Sequence, residues 1–189
     1  MIPKTIVHLL SGGLDSVTLL YELHGKGERV HCVLFDYGQK HVQELTFAKL
    51  HCHRLHVLFT TMEIPKLGGL TNENWIVPNR NAIMLSLAVN LAVRIKADTV
   101  TIGCNKDDEA AFPDCRMAFL QLFNTMLTTV EIPVEVCAPY LDWPKWKIAG
   151  LARDLGVPSN EIWTCYLGGS EPCGKCPACL KLNEALAHK

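Results

Sequence analysis

Ser11-Gly12-Gly13-Leu14-Asp15-Ser16 follows a short apolar run, residues 5–10, and leads straight into Val17-Thr18-Leu19-Leu20-Tyr21-Glu22-Leu23. The order predicts a buried strand, a tight turn and then a helix. Two glycines permit positive φ and let another group approach the backbone closely. Two serines and an aspartate sit where a helix would begin, among N–H groups without intrahelical partners and at a positive dipole end. Such a turn is suited to an anion, and the backbone here would cradle a pyrophosphate with Ser11 and Ser16 adding hydroxyls. Asp15 cannot hold an anion itself. Beside phosphates a carboxylate makes sense as a Mg²⁺ ligand. The loop is neither a Walker A sequence nor a dinucleotide fingerprint, since the Gly-Lys-Ser/Thr ending and the glycine spacing are absent. The plain alternative is a turn with a helix cap, which favours the same residue types.

Outward from the loop, apolar runs alternate with helical patterns. Strands are expected at residues 29–35, 55–59, 99–102 and 134–137. Helices are expected around Val42–Leu50, at 81–96, around Phe119–Val130 and at 144–155, with the first one closed by Gly25 and Gly27. Strands alternating with helices predict an α/β fold: a doubly wound, mostly parallel five-stranded sheet. In such sheets ligands bind beyond the carboxyl ends of strands, where Leu10, Phe35, Asp36 and Gly103 would lie. The 81–96 helix is apolar almost all round, which predicts burial on the sheet or at a subunit interface. Residues 62–79, with Pro65, Gly68, Gly69 and Pro78, read as a loop or lid.

The chain has 189 residues, with 18 Lys+Arg against 19 Asp+Glu. That balance offers no polybasic surface for stable nucleic-acid binding. No stretch reaches membrane-spanning length, and residues 6–10 are too short for a signal peptide, so the chain reads as cytoplasmic. Nine cysteines fall into two sets. Cys32, Cys52, Cys104, Cys115 and Cys137 are scattered among apolar residues and read as small core side chains. Cys165, Cys173, Cys176 and Cys179 cluster near the end of the chain, with two overlapping Cys-x-x-Cys steps. In a reducing compartment this predicts four thiolates on one structural Zn²⁺, stapling a segment short of apolar residues. Two parts follow: an ATP-binding α/β domain at 1–158 and a four-cysteine zinc segment at 159–189 packed on it. His51, His53 and His56 read as a solvated helix end rather than a second metal site.

Smaller stretches carry charge to strand ends. Arg80, in Val77-Pro78-Asn79-Arg80-Asn81, could clamp a phosphate. Asp108 lies after the fourth strand, and Phe112-Pro113-Asp114-Cys115-Arg116 offers a carboxylate and a guanidinium. Lys145 follows Pro139-Tyr140-Leu141-Asp142 and could neutralise a leaving pyrophosphate. Taken singly, each is as well explained by a cap or a solvated surface charge.

The opening loop resembles the Ser-Gly-Gly-x-Asp-Ser pyrophosphate loop of the N-type ATP pyrophosphatases. Those enzymes adenylate a substrate oxygen and release pyrophosphate. With Phe35-Asp36-Tyr37-Gly38-Gln39, Val-Pro-x-Arg-Asn, Pro-Asp-Cys-Arg, Thr164-Cys165-Tyr166 and Cys-Gly-x-Cys-x-x-Cys in this order, nearly the whole chain is similar to the 7-cyano-7-deazaguanine synthases, the QueC family. The resemblance implies a nucleotide-hydrolase-like fold, ATP, Mg²⁺, zinc and a homodimer. It implies a carbon–nitrogen ligase that adenylates 7-carboxy-7-deazaguanine, adds ammonia to give the amide, and uses a second ATP to reach the nitrile. By position, the nucleotide loop carries over onto Leu10, Ser11, Gly12, Gly13, Leu14, Asp15, Ser16, Val17, Thr18, Leu19 and Leu20. Phe35, Asp36 and Gly103 join it, and the zinc ligands fall on the four clustered cysteines. Catalytic roles would fall to Asp15, Ser16, Arg80, Asp108, Asp114, Arg116 and Lys145.

The chain also departs from that family. Its usual Asp-x-Ser-Gly-Tyr-Pro-Asp-Cys-Arg reads Asp108-Glu109-Ala110-Ala111-Phe112-Pro113-Asp114-Cys115-Arg116, and Asn79 replaces the glycine of Val-Pro-Gly-Arg-Asn. The changes fall where the substrate base is expected. They leave open a product that stops at 7-amido-7-deazaguanine, or a coupling to another amine. A tRNA-modifying ATP pyrophosphatase is the remaining alternative.

Overall fold

The computed structural model describes residues 3–73 and 75–188. Strand β1 (Thr5–Leu9), helix α1 (Leu14–Gly25), β2 (Arg29–Asp36), α2 (Gln43–Arg54), β3 (Leu58–Glu63), α3 (Arg80–Ile95), β4 (Thr99–Thr101), α4 (Met117–Thr129), β5 (Glu135–Cys137), α5 (Lys145–Asp154) and α6 (Pro177–Ala187) follow in order. The five strands form one sheet in the order β3-β2-β1-β4-β5, and every pairing is parallel. β1 is flanked by β2 on one side and β4 on the other, so the chain switches winding direction between β1 and β4. The crevice beyond their carboxyl ends is where such sheets hold ligands.

Both faces of the sheet are covered, which is why its strands read as continuous apolar runs. Along β2 the side chains alternate: Val33 and Phe35 join the core beneath α3 and α4, while Cys32 and Leu34 join the core beneath α1, α2 and α5. Helix α1 ends where Gly27 takes φ 77° and Glu28 N–H reaches back to the Leu23 carbonyl at 3.1 Å.

One expectation needs correction. The third strand starts at Leu58, not at residue 55. Leu55 and Val57 instead close the end of α2, with His56 at φ 53° and Val57 N–H on the Cys52 carbonyl at 2.9 Å. Apolar residues that finish a helix look, in sequence, like the start of a strand. Helix α3 is buried on the sheet as expected, with Met84, Leu85, Ala88 and Ala92 packed inward and Leu87, Asn90 and Val93 exposed on its other face. The cysteine-rich segment also continues into a regular helix, α6, with Pro177 in its first turn.

Polar contacts lock the turn into the sheet. His8 on β1 is fully buried, with Nδ1 2.9 Å from Thr101 Oγ1 on β4 and Nε2 2.8 Å from the Ser16 carbonyl in α1. Burial lowers its pKa from 6.5 to about 4, against the raising effect of those two hydrogen bonds. Between those values the unfolded chain binds a proton that the folded chain does not. The stabilisation is therefore complete above pH 6.5 and is lost as the pH falls toward about 4. Urea titrations should show unfolding free energy dropping by about 2 kcal/mol per such group between pH ~7 and ~5. A His8→Gln variant should lose that share of the slope, and an unchanged slope would remove His8 as its source.

Candidate active site

The turn after β1 is built by two close backbone approaches. Gly12 has φ 83°, and a Cβ there would run into the carbonyl of Glu44 in α2. At the end of β4, a Cβ on Gly103 would lie 2.8 Å from the Ser16 backbone nitrogen. Only glycine lets α2 and β4 close on the loop from opposite sides. Leu14, Asp15 and Ser16 precede the first intrahelical bond, Val17 N–H to the Gly13 carbonyl, so their own N–H groups have no partner within the helix. Ser11 Oγ and Ser16 Oγ lie 3.0 Å apart, and Ser16 Oγ donates to the Gly13 carbonyl at 3.2 Å. The loop is thus shaped before any ligand arrives.

In front of it lies a cleft of about 640 Å³, within the usual size of small-molecule sites. Of the residues assigned to nucleotide or catalysis, Leu10, Ser11, Gly13, Asp15, Ser16, Phe35, Arg80, Gly103, Asp108 and Lys145 line it. Gly12, Leu14, Val17, Thr18, Leu19, Leu20 and Asp36 do not. Leu14, Val17, Leu19 and Leu20 belong to the core beneath α1, and Thr18 Oγ1 donates to the Leu14 carbonyl within the helix. Asp114 and Arg116 also lie outside the cleft. Asp114 Oδ2 accepts from Asn81 N–H at 3.2 Å, capping the start of α3, and Arg116 Nε donates to the Glu109 carbonyl at 2.9 Å.

Asp15 is the centre of the charged end. Its Oδ2 accepts from Lys145 Nζ at 2.8 Å and from Asn105 Nδ2 at 3.1 Å. Its Oδ1 is buried without a hydrogen-bond partner among the described residues. Lys145 is brought in by the start of α5, whose first N–H donates to Asp107 Oδ2 at 2.9 Å. Burial opposes its charge, but the carboxylates of Asp15 and Asp108 outweigh this and hold the ammonium protonated. Burial raises the pKa of Asp108, Lys145 counters it, and Asp15 adds to the rise. Asn105 was not picked out from the sequence. It is fully buried, and its Oδ1 takes Asp107 N–H at 2.8 Å while its amide steers Asp15. An asparagine in a polar loop carries no signal of that partnership.

Arg80 stands apart from this charged end. Its Nη1 donates to Tyr37 Oη at 3.2 Å, and its guanidinium lies 5.9 Å from the centre of the Tyr37 ring. Burial disfavours the charge, yet Tyr37, Glu44 and Asp114 keep it protonated. The preceding Asn79 takes φ 59°. Asparagine tolerates this left-handed conformation better than most residues, so it can stand where glycine is usual. His51 is no ligand: its ring bridges Tyr21 Oη at 3.1 Å and the Glu161 carbonyl at 2.9 Å.

The sulfurs of Cys165, Cys173, Cys176 and Cys179 all lie within 4.8 Å of one another, with Cys173 and Cys179 at 3.9 Å. A tetrahedral Zn²⁺ with Zn–S bonds of about 2.3 Å needs sulfurs roughly 3.8 Å apart, so the set fits one ion with no open position. The N–H groups of Lys175 and Cys176 point at Cys173 Sγ and lower its pKa to about 6. Thiolate is the form a metal takes. Among the described residues this is the one such cluster. It is also close to the cleft. Trp163, Thr164, Tyr166 and Ala178 line that cleft, and Trp163 N–H donates to the Gly12 carbonyl at 2.9 Å.

Over residues 5–76 and 70–189 the chain matches the family described as "Queuosine biosynthesis protein QueC". The chain belongs to the QueC family. It is 38% identical over 207 residues to a 7-cyano-7-deazaguanine synthase of Hahella chejuensis, covering 98% of this chain and 89% of the relative. To that of Archaeoglobus fulgidus it is 39% identical over 201 residues, covering 95% and 84%. Solved structures share the fold at low identity. The U34-tRNA thiolase NcsA of Methanococcus maripaludis superposes with a TM-score of 0.64 at 16% identity, over 97% of this chain and 64% of that one. An NH3-dependent NAD synthetase of Campylobacter jejuni gives 0.53 at 22% identity, over 86% and 68%. In this QueC-family chain the metal cluster and the cleft share one segment, so loss of the ion should be felt at both. We expect about one zinc per chain by elemental analysis. Chelation or Cys176→Ser should lower the melting temperature and weaken nucleotide binding together. A metal-free chain with full stability and affinity would make the cysteines incidental.

Proposed function

We propose that the protein is an ATP-dependent ligase that converts 7-carboxy-7-deazaguanine and ammonia into the amide and then the nitrile, 7-cyano-7-deazaguanine. The observation that carries this is the membership of the QueC family along nearly the full chain, with a preorganised anion loop facing Lys145 and Asp15. The substrate carboxylate attacks the α-phosphorus of ATP and pyrophosphate leaves. The N–H groups at the start of α1 and the hydroxyls of Ser11 and Ser16 hold the departing charge, and Lys145 neutralises it. Ammonia displaces AMP from the acyl adenylate and sheds one proton to give the amide. A second ATP activates the amide oxygen. The nitrogen then loses its two protons as the C–O bond breaks, leaving the nitrile and a second AMP.

The orphaned Asp15 Oδ1 suits a hard cation, and Asp15 with Asp108 would hold Mg²⁺ at the phosphates. That ion would screen the phosphate charge during attack. In support of the homodimer, Leu122 and Met126 on α4 and Val130 just after it form an exposed apolar row. No described helix is long and apolar enough to cross a membrane, and nine cysteines without a disulfide support a reducing compartment.

The test is incubation with 7-carboxy-7-deazaguanine, ammonium and Mg·ATP, with products resolved by mass. The nitrile with two AMP per product is expected. Amide alone would shorten the reaction to its first half, and absence of AMP and pyrophosphate would sink it. Asp15→Ala and Lys145→Ala should each lower AMP formation by about 10²–10³-fold with the fold intact. Loss of fold in Asp15→Ala would mark Asp15 as mainly a cap.

A further inference from the structure

The carboxyl side chains that line the cleft are those of Asp15, Glu44, Glu73 and Asp108. Asp15 and Asp108 gather around Lys145, and Glu73 lies on an exposed loop. Glu44 is left, and its surroundings are built rather than incidental. Its side chain is only 13% exposed, opening into the cleft from the first turn of α2. The Gln39 amide holds it in place. Gln39 Oε1 accepts from Tyr37 N–H at 2.9 Å, and Nε2 donates to the Phe35 carbonyl at 3.1 Å and to Glu44 Oε1 at 3.0 Å. Every bond of that amide serves to aim Glu44. The second oxygen, Oε2, has His41 Nε2 at 3.5 Å. Burial and Arg80 lower His41 to about 4, so at neutral pH this contact is not an ion pair.

Here a desolvated carboxyl faces a cavity with fewer donors than it can use. Burial raises its pKa to about 8, although Gln39 and Arg80 favour the charged form, so Glu44 sheds its proton to solvent and becomes the carboxylate when further donors reach it. A ligand that brings two adjacent N–H donors supplies what the site lacks. The edge of a guanine-type ring presents N1–H and a 2-amino group side by side, with O6 beyond them. Adenine offers one donor next to an acceptor, which a carboxylate repels. Aromatic rings lie beside Glu44 on the cleft wall: the His41 and Tyr166 ring centres are 6.1 Å apart, and Trp75 stacks on Tyr166 at 5.9 Å.

We propose that Glu44 selects the substrate base, its carboxylate accepting from N1–H and the 2-amino group of a guanine-type ring while Arg80 donates to O6. The assignment rests on the proposed deazaguanine activity. It places base recognition at the start of α2, away from the altered 108–116 stretch.

The experiment compares wild type and Glu44→Gln with 7-carboxy-7-deazaguanine and with 7-carboxy-7-deazahypoxanthine, which lacks the 2-amino group. Wild type should prefer the first by about 100-fold in kcat/KM. In Glu44→Gln the KM for the deazaguanine should rise by about 50-fold, and the preference should shrink below about fivefold. The KM for ATP and the melting temperature should stay unchanged. Should Glu44→Gln fail to fold, Glu44→Asp keeps the charge, withdraws it by one methylene and should show the same split at smaller size. A fall in kcat with KM unchanged, an equal rise in the KM for ATP, or a retained preference would each overturn the assignment while leaving the activity standing. A wild type that makes no AMP from 7-carboxy-7-deazaguanine overturns both.

Discussion

Backbone meets backbone at two points around the start of α1, and the rest of the site depends on those contacts. Gly12 admits the carbonyl of Glu44, and Gly103 admits the nitrogen of Ser16. A methyl group at either point would push α2 or β4 off the loop. Because neither is displaced, the ends of β1 and β4 and the first turn of α2 converge on one turn of chain. His8 fastens the same junction from inside the sheet, linking β1 to β4 and to Ser16. The anion loop is therefore held by the sheet rather than by its own hydrogen bonds alone, and its N–H groups are aimed before a ligand binds.

From that junction the cleft divides by charge. At one end Lys145 and Asn105 converge on Asp15, with Asp108 close by, and the lysine stays protonated because two carboxylates outweigh its burial. At the other end Gln39 and Arg80 surround Glu44 with aromatic rings beside it. The two ends ask for different chemistry. The first end is charged and the second pairs a half-buried carboxyl with aromatic rings. The cysteine segment closes the cleft on a third side, and Trp163 ties it directly to Gly12. The four-cysteine cluster thus shares its segment with the wall of the cleft.

Much of this was legible in the chain. The alternation of apolar runs with helical patterns gave the parallel α/β sheet, and the four clustered cysteines gave a closed metal set. Both are local signals: a period along one segment, and a spacing within one segment. The misplaced strand start was local as well, but ambiguous. Leu55 and Val57 are apolar whether they finish a helix or open a strand, and only the pairing of β3 with β2 decides. Asp114 and Arg116 carry charge in a familiar motif, yet their side chains turn to the start of α3 and to the Glu109 carbonyl.

The sequence by itself determined most of the elements, the glycine-serine turn and the cysteine cluster, because each is encoded within a few neighbouring residues. Only the tertiary structure decided which distant side chains meet. Asp15 finds Lys145 across 130 positions and Asn105 across 90. Glu44 becomes a buried, aimed carboxyl only when α2 packs against the loop at Gly12. Burial and partnership set the ionisation of these groups, and neither is a property of a segment. They arise when the winding of the sheet brings strand ends together at the β1/β4 switch.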